Sequence, residues 1–102
     1  MLKLIPLGGL GEIGLNMMAI EHGPYILVVD AGLMFPDDFL PGVDLVIPDF
    51  RFLQEAKDRV GAIILTHAHE DHIGAMPFFL REFNIPVYGT GFTLEILKEK
   101  LK

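Results

Sequence analysis

The chain contains no cysteine and no tryptophan, and only two tyrosines. Without cysteine, disulfide scaffolds, thiolate zinc sites and thiol nucleophiles are excluded. Basic residues are also scarce: 8 Lys+Arg stand against 14 Asp+Glu, a formal charge of −6 with a pI near 5.0. Taken alone, that balance argues against a nucleic-acid clamp or a binder of anionic membranes. No apolar run approaches the roughly 20 residues of a membrane span. The N-terminal apolar stretch carries one lysine, Lys3, and is interrupted at Pro6 and then by glycines, so it does not read as a signal peptide. A soluble cytoplasmic protein, with no membrane partner, is the expectation.

What the chain has in quantity is apolar surface. Fifty-one percent of its 102 residues are hydrophobic and the mean hydropathy is +0.43, which excludes disorder. The length suits one small domain. So high an apolar content in so short a soluble chain suggests that further protein normally covers part of it.

Three short apolar runs come first: Leu2 to Leu7, Asn16 to Glu21, and Tyr25 to Asp30. The last two flank His22-Gly23-Pro24, which suits a hairpin turn. Residues 33 to 48 carry Pro36, Pro41 and Pro48 and read as an irregular connection. Asp49 is a candidate N-cap for a helix over Phe50 to Arg59, with Leu53, Ala56 and Val60 on one side and Gly61 as its break. Ala62 to Leu65 is continuously apolar, as in a strand buried on both faces. After His72 a helix is expected with Pro77 in its first turn, Met76, Leu80 and Phe83 on one face, and Asn84 at its end. Pro86 to Tyr88 reads as a strand, and Thr93 to Lys102 as a final helix with a Leu94, Leu97, Leu101 stripe. Strands first and βα alternation second make a mixed-sheet α/β layout.

Three of the four histidines fall within six residues, in Thr66-His67-Ala68-His69-Glu70-Asp71-His72. The cluster follows the buried strand and precedes a helix, where α/β proteins place ligand sites. An extended backbone would point His67 and His69 to the same side, so that both imidazoles can chelate one metal. Asp71 and His72 follow and can hold a second ion. Imidazole with carboxylate suits zinc or manganese. The plainer alternative is a solvated capping loop in which Asp71 is an N-cap, but histidines rarely gather as H-x-H-x-D-H behind a buried strand.

H-x-H-x-D-H after an apolar strand resembles the signature of the metallo-β-lactamase superfamily. Pro6-Leu7-Gly8-Gly9-Leu10-Gly11-Glu12-Ile13-Gly14, Asp30-Ala31-Gly32, Pro41 through Asp49 and Leu65 through Gly74 further resemble the opening of the ribonuclease J family, in the β-CASP nuclease branch. Ala68 stands where many members carry glycine. The resemblance implies the first part of a four-layer αβ/βα sandwich, with residues 1–102 as its N-terminal portion and the β-CASP and C-terminal parts outside it. It implies a two-metal ribonuclease, acting as a 5′-to-3′ exonuclease and an endonuclease on 5′-monophosphorylated single-stranded RNA, and often homo-oligomeric. His67 and His69 would bind one zinc and Asp71 and His72 the other, with manganese as an alternative metal. Asp71, His72 and Asp30 would carry the catalysis, Asp30 from behind the ligands.

Two features complicate that reading. Gly9-x-Gly11-x-x-Gly14, with Asp30 further on, imitates a dinucleotide-binding fingerprint. Only seven residues, Leu15 to Glu21, then precede the turn, too few for a βαβ crossover and its helix. The second feature is ligand supply: His67, His69, Asp71 and His72 are too few for two metals. The family draws its further ligands from later segments, so the 102-residue chain is expected to be inactive alone. Rival readings are another hydrolase on the same metal scaffold, acting on a thioester, lactam or DNA, and a non-catalytic structural module.

Overall fold

The computed structural model describes residues 2–8, 16–32 and 48–101, apart from the side chains of Glu70 and Asp71. The connection expected over 33 to 48, apart from Pro48, and the glycines at 9, 11 and 14 lie outside these residues. Strands β1 (Leu2–Gly8), β2 (Met17–His22) and β3 (Tyr25–Val29) are followed by helix α1 (Arg51–Glu55) and a 3₁₀ turn (Lys57–Arg59). Strand β4 (Val60–Ile64), helices α2 (Glu70–Ile73) and α3 (Met76–Glu82), strand β5 (Val87–Tyr88) and helix α4 (Gly91–Lys100) complete the described elements. The strands form one mixed sheet in chain order, antiparallel from β1 to β3 and parallel from β3 to β5. This is the α/β class expected from the sequence.

The β2–β3 hairpin closes in two residues, because His22 pairs with Tyr25. Gly23 takes a φ of 58° and Pro24 follows, the residue pattern of a type II′ turn, whose twist matches the strands it joins. The antiparallel β1–β2 pairing also excludes the dinucleotide-binding layout, which needs a parallel crossover at this point.

Strand order advances steadily across the parallel half, so right-handed crossovers place α1 and α3 on the same side of the sheet. The buried residues agree. Met17, Ala19, Ile26, Val28 and Ile63 form one core with Leu53, Met76, Phe79, Phe83 and Leu97 from the helices. Phe79 stacks on Phe83 at 4.7 Å and meets Phe50 edge-on at 5.6 Å, joining α1 to α3. The opposite face presents Met18, Ile20, Leu27, Val29, Ala62 and Ile64, all apolar and only half-buried, with Leu2 and Leu4 exposed beside them. Among the described residues one face is covered by helices and the other, apolar face is left open, as in half of a layered sandwich.

Several local expectations change. β4 is fully covered on one face only, since Ala62 and Ile64 alternate onto the open one. Gly61 does not break a helix. It lies inside β4, where Ile26 pairs with Val60 and Leu27 with Ala62, so Gly61 is the extra residue of a bulge. The helix expected over Phe50 to Arg59 is α1 plus the 3₁₀ turn, and Phe50 occupies the N-cap position. Asp49 still serves this end: its Oδ1 accepts the Arg51 backbone N–H at 2.9 Å. The helix expected after His72 is α3, while a separate short helix, α2, already contains His72; between them the Ala75 N–H donates to Ala31 O instead of continuing α2. In α3, Phe79 joins Met76 and Phe83 in the core while Leu80 is half-buried. In α4, Thr93 and Leu97 are the buried pair and Leu101 lies 45% exposed just past the helix.

At the β2–β3 turn end of the sheet, Glu21 pairs with Arg59 at 2.8 Å and with Lys3 at 3.7 Å. The hydrogen bond from Arg59 holds the Glu21 carboxyl below the ordinary carboxylate range, with both cations adding to the effect.

Candidate metal centre

At the other end of the sheet, β3 and β4 finish side by side, and the parallel pairing brings Asp30 next to the segment that follows β4. Asp30 is 5% exposed and adopts a φ of 63°, a left-handed conformation uncommon outside glycine. Its neighbours fix it there. Asp30 N–H donates to Ile64 O at 2.9 Å, Ala31 N–H to His72 O at 2.8 Å, and Gly32 N–H to Asn16 O at 3.0 Å. Three chain segments therefore hold the turn. Strain held by its surroundings in this way is characteristic of functional sites.

The Asp30 carboxylate reaches across the sheet end. Its Oδ1 accepts the Thr66 backbone N–H at 2.7 Å, and its Oδ2 accepts the Thr66 hydroxyl at 2.6 Å. The same Oδ2 lies 2.8 Å from His72 Nδ1, across 42 residues of sequence. A strand-end aspartate that only satisfied a local turn would show none of these contacts.

His67 lies in irregular backbone and His69 on the bend that follows, neither in an extended strand, yet their rings lie 6.3 Å apart and within 24° of parallel. The His67 and His72 rings are closer, at 4.5 Å. His67 Nδ1 meets Thr66 Oγ1 at 3.0 Å. Asp71 stands in α2 as its second residue, so it is not that helix's N-cap, and its side chain lies outside the described atoms. The remaining histidine, His22, is at the far end of the sheet.

Three imidazoles thus gather at one place, and two of them turn Nδ1 toward Thr66 and Asp30. That is how metal-binding histidines are commonly held, with the carboxylate or hydroxyl behind the ring fixing which nitrogen meets the metal. The donor chemistry fits a divalent cation. The donor count is short: among the described residues no group of three or more His, Asp or Glu is gathered closely enough to hold a metal by itself. Thr66 is the residue that sequence patterning did not single out. Its only signal is its place between the apolar strand and the first histidine.

Residues 10–101 match the metallo-beta-lactamase superfamily, most of the chain and the whole histidine cluster. The chain belongs to that superfamily. Within it, the chain is similar to ribonuclease J of Helicobacter pylori (strain ATCC 700392 / 26695), at 53% identity over 98 residues, covering 96% of this chain and 14% of the relative. It is 52% identical over 100 residues to ribonuclease J2 of Bacillus subtilis (strain 168), covering 98% of this chain and 18% of the relative. With ribonuclease J of Mycolicibacterium smegmatis it shares 47% over 102 residues, covering 99% of this chain and 18% of the relative. The chain therefore spans under a fifth of the length of the curated relatives it matches. Its one-sided α/β sheet fits a piece of the metallo-beta-lactamase domain. No helix among the described residues is long and apolar enough to cross a membrane.

Proposed function

We propose that this chain forms the N-terminal portion of a two-metal ribonuclease that hydrolyses RNA phosphodiesters. The observation that carries the metal reading is the buried Asp30 carboxylate bound to Thr66 and to His72 Nδ1, directly behind the histidine cluster. The kinship with proteins named ribonuclease J carries the substrate.

In this reading His67 and His69 hold one divalent cation, and Asp71 and His72 hold the other. Zinc suits the donor set, and manganese is the alternative. Such a metal pair, when bound, supplies an activated water at neutral pH and neutralises charge on the phosphate. Asp30 orients His72 and keeps a proton on its Nδ1, so that Nε2 is the ligating nitrogen. The left-handed turn at Asp30, tied to His72 through Ala31, sets the distance between β3 and α2 and so the placement of the ring.

The missing ligands come from later segments of the complete protein, which also carry the β-CASP part and the basic residues that bind RNA. The half-buried apolar sheet face is the surface those segments cover. Residues 1–102 alone are then inactive. The complete protein acts in the cytoplasm on 5′-monophosphorylated single strands as a 5′-to-3′ exonuclease and as an endonuclease, in RNA processing and decay, and assembles with copies of itself.

The test uses protein expressed from the complete reading frame, assayed on 5′-monophosphorylated RNA, on DNA of the same sequence and on a β-lactam, with and without a chelator. Chelator-sensitive hydrolysis of RNA alone is the expected result. Turnover of the lactam or DNA in preference to RNA, or RNA hydrolysis indifferent to the chelator, would overturn the proposal.

A further inference from the structure

The hydroxyl of Thr66 touches three side chains at once. It lies 2.6 Å from Asp30 Oδ2, 3.0 Å from His67 Nδ1 and 3.3 Å from His72 Nδ1. A threonine hydroxyl has a single proton to donate and two lone pairs to offer, and a carboxylate can only accept. The one proton must therefore go to Asp30 Oδ2, the shortest of the three contacts. Once it is committed there, Thr66 Oγ1 can only accept, and His67 Nδ1 must arrive carrying its own proton. His72 Nδ1, placed between Asp30 Oδ2 and Thr66 Oγ1, must donate for the same reason. Only one arrangement of protons satisfies every contact.

We infer that Thr66 is a positioning residue that fixes the tautomer of His67, carrying the Asp30 carboxylate's demand for protons to a second imidazole that Asp30 does not itself contact. The inference rests on the metal reading above only for its purpose. Its content, a proton on His67 Nδ1 that leaves Nε2 without one, is a statement about the protein without metal. The chain of contacts runs from the strained turn at residue 30, through one hydroxyl, to both halves of the proposed centre. Asp30 and Thr66 follow the level ends of the adjacent parallel strands β3 and β4, so the strand pairing sets the register of this device.

Thr66→Val removes the hydroxyl while keeping the branched shape and the backbone N–H that Asp30 Oδ1 accepts, and Thr66→Ser restores the hydroxyl. Both variants are made in protein from the complete reading frame and compared in two ways. Competition with a chelator gives zinc affinity, and nitrogen chemical shifts of ¹⁵N-histidine-labelled, metal-free protein give the tautomer. Thr66→Val is expected to lower zinc affinity by about 10- to 100-fold, the usual effect of removing a partner behind a metal-binding histidine, with Thr66→Ser within about threefold of the parent. The His67 signals should show Nδ1–H in the parent and in Thr66→Ser, and a mixture of tautomers in Thr66→Val. Parent-like affinity and an unmixed Nδ1–H tautomer in Thr66→Val would overturn the inference, as would a parent tautomer with the proton on Nε2. Should the parent bind no divalent cation, the metal reading fails, while the nitrogen shifts still decide the role of Thr66.

Discussion

Asp30→Asn is the most informative single change in this molecule. Asparagine matches aspartate in shape and tolerates the left-handed φ of 63°, so the turn itself survives. What changes is the hydrogen-bond arithmetic. The carboxylate accepts from the Thr66 N–H, the Thr66 hydroxyl and His72 Nδ1, whereas the amide has one accepting oxygen and one donating nitrogen. If the amide oxygen faces the Thr66 N–H, its NH₂ faces His72 and drives the histidine proton to Nε2, the nitrogen required for the metal. If the amide turns over, its NH₂ opposes the Thr66 N–H. The second arrangement leaves a buried donor mismatched, at a cost of about 1–3 kcal/mol in stability, and the first avoids that cost only by giving up the tautomer the metal needs. Divalent-metal affinity should fall about 10- to 100-fold, as for other losses of a carboxylate behind a metal-bound histidine. The assays are urea unfolding of the metal-free protein and chelator competition for zinc, both on the complete protein. Asp30→Asn with unchanged stability and unchanged metal affinity would mean that the carboxylate does not set the proton positions at this site.

Phe79→Ala empties the centre of the helix-covered face, where Phe79 is fully buried between Phe50 and Phe83, and should cost about 3–5 kcal/mol by urea denaturation. Glu21 makes stability pH-dependent. Because its pKa is lowered from 4.5 in the folded state, its contribution is fully present above that value and fades as pH falls through the lower folded one. The difference in urea midpoint between the parent and Glu21→Gln should accordingly be constant from neutrality to about pH 5 and shrink below pH 4.5. Leu27→Asp reads out the open sheet face. In the complete protein it should cost more than about 2 kcal/mol if later segments cover that face, against roughly 0.5 kcal/mol or less for a residue left at the surface.

The hairpin, the strand ending at Asp30, the proline in the first turn of α3 and the histidine cluster were all legible in the sequence, because each depends on residues near one another in the chain. Gly61 was not. Glycine is an ordinary breaker of helices, and only the pairing of β4 against β3 turns it into the extra residue of a bulge. The division between α2 and α3 was equally hidden, since the Ala75 N–H leaves the helix for a carbonyl on Ala31, a partner supplied by the tertiary fold. Ala62 to Leu65 is apolar throughout, as a doubly buried strand should be, but the half of the sandwich that would cover its second face is not among the described residues.

The same distinction applies at the site. Spacing alone marked His67, His69, Asp71 and His72 as ligand types, and the family resemblance marked Asp30. The contact between Asp30 and Thr66 joins residues 36 apart, and no local pattern announces it. It arises from two parallel strands ending level with each other. The sheet thus does more than support the histidines: its register decides which nitrogen each of two rings holds back.

A two-metal centre completed by segments beyond these residues makes a definite demand on metal content. Protein from the complete reading frame, purified without chelator and without a histidine tag, should carry about two zinc or manganese ions per chain by elemental analysis, as a two-metal centre requires. Residues 1–102 prepared in the same way should carry almost none. A complete protein that hydrolyses RNA with no bound divalent metal would rule that centre out, and two tightly held ions on residues 1–102 alone would show that later segments are not needed to complete it.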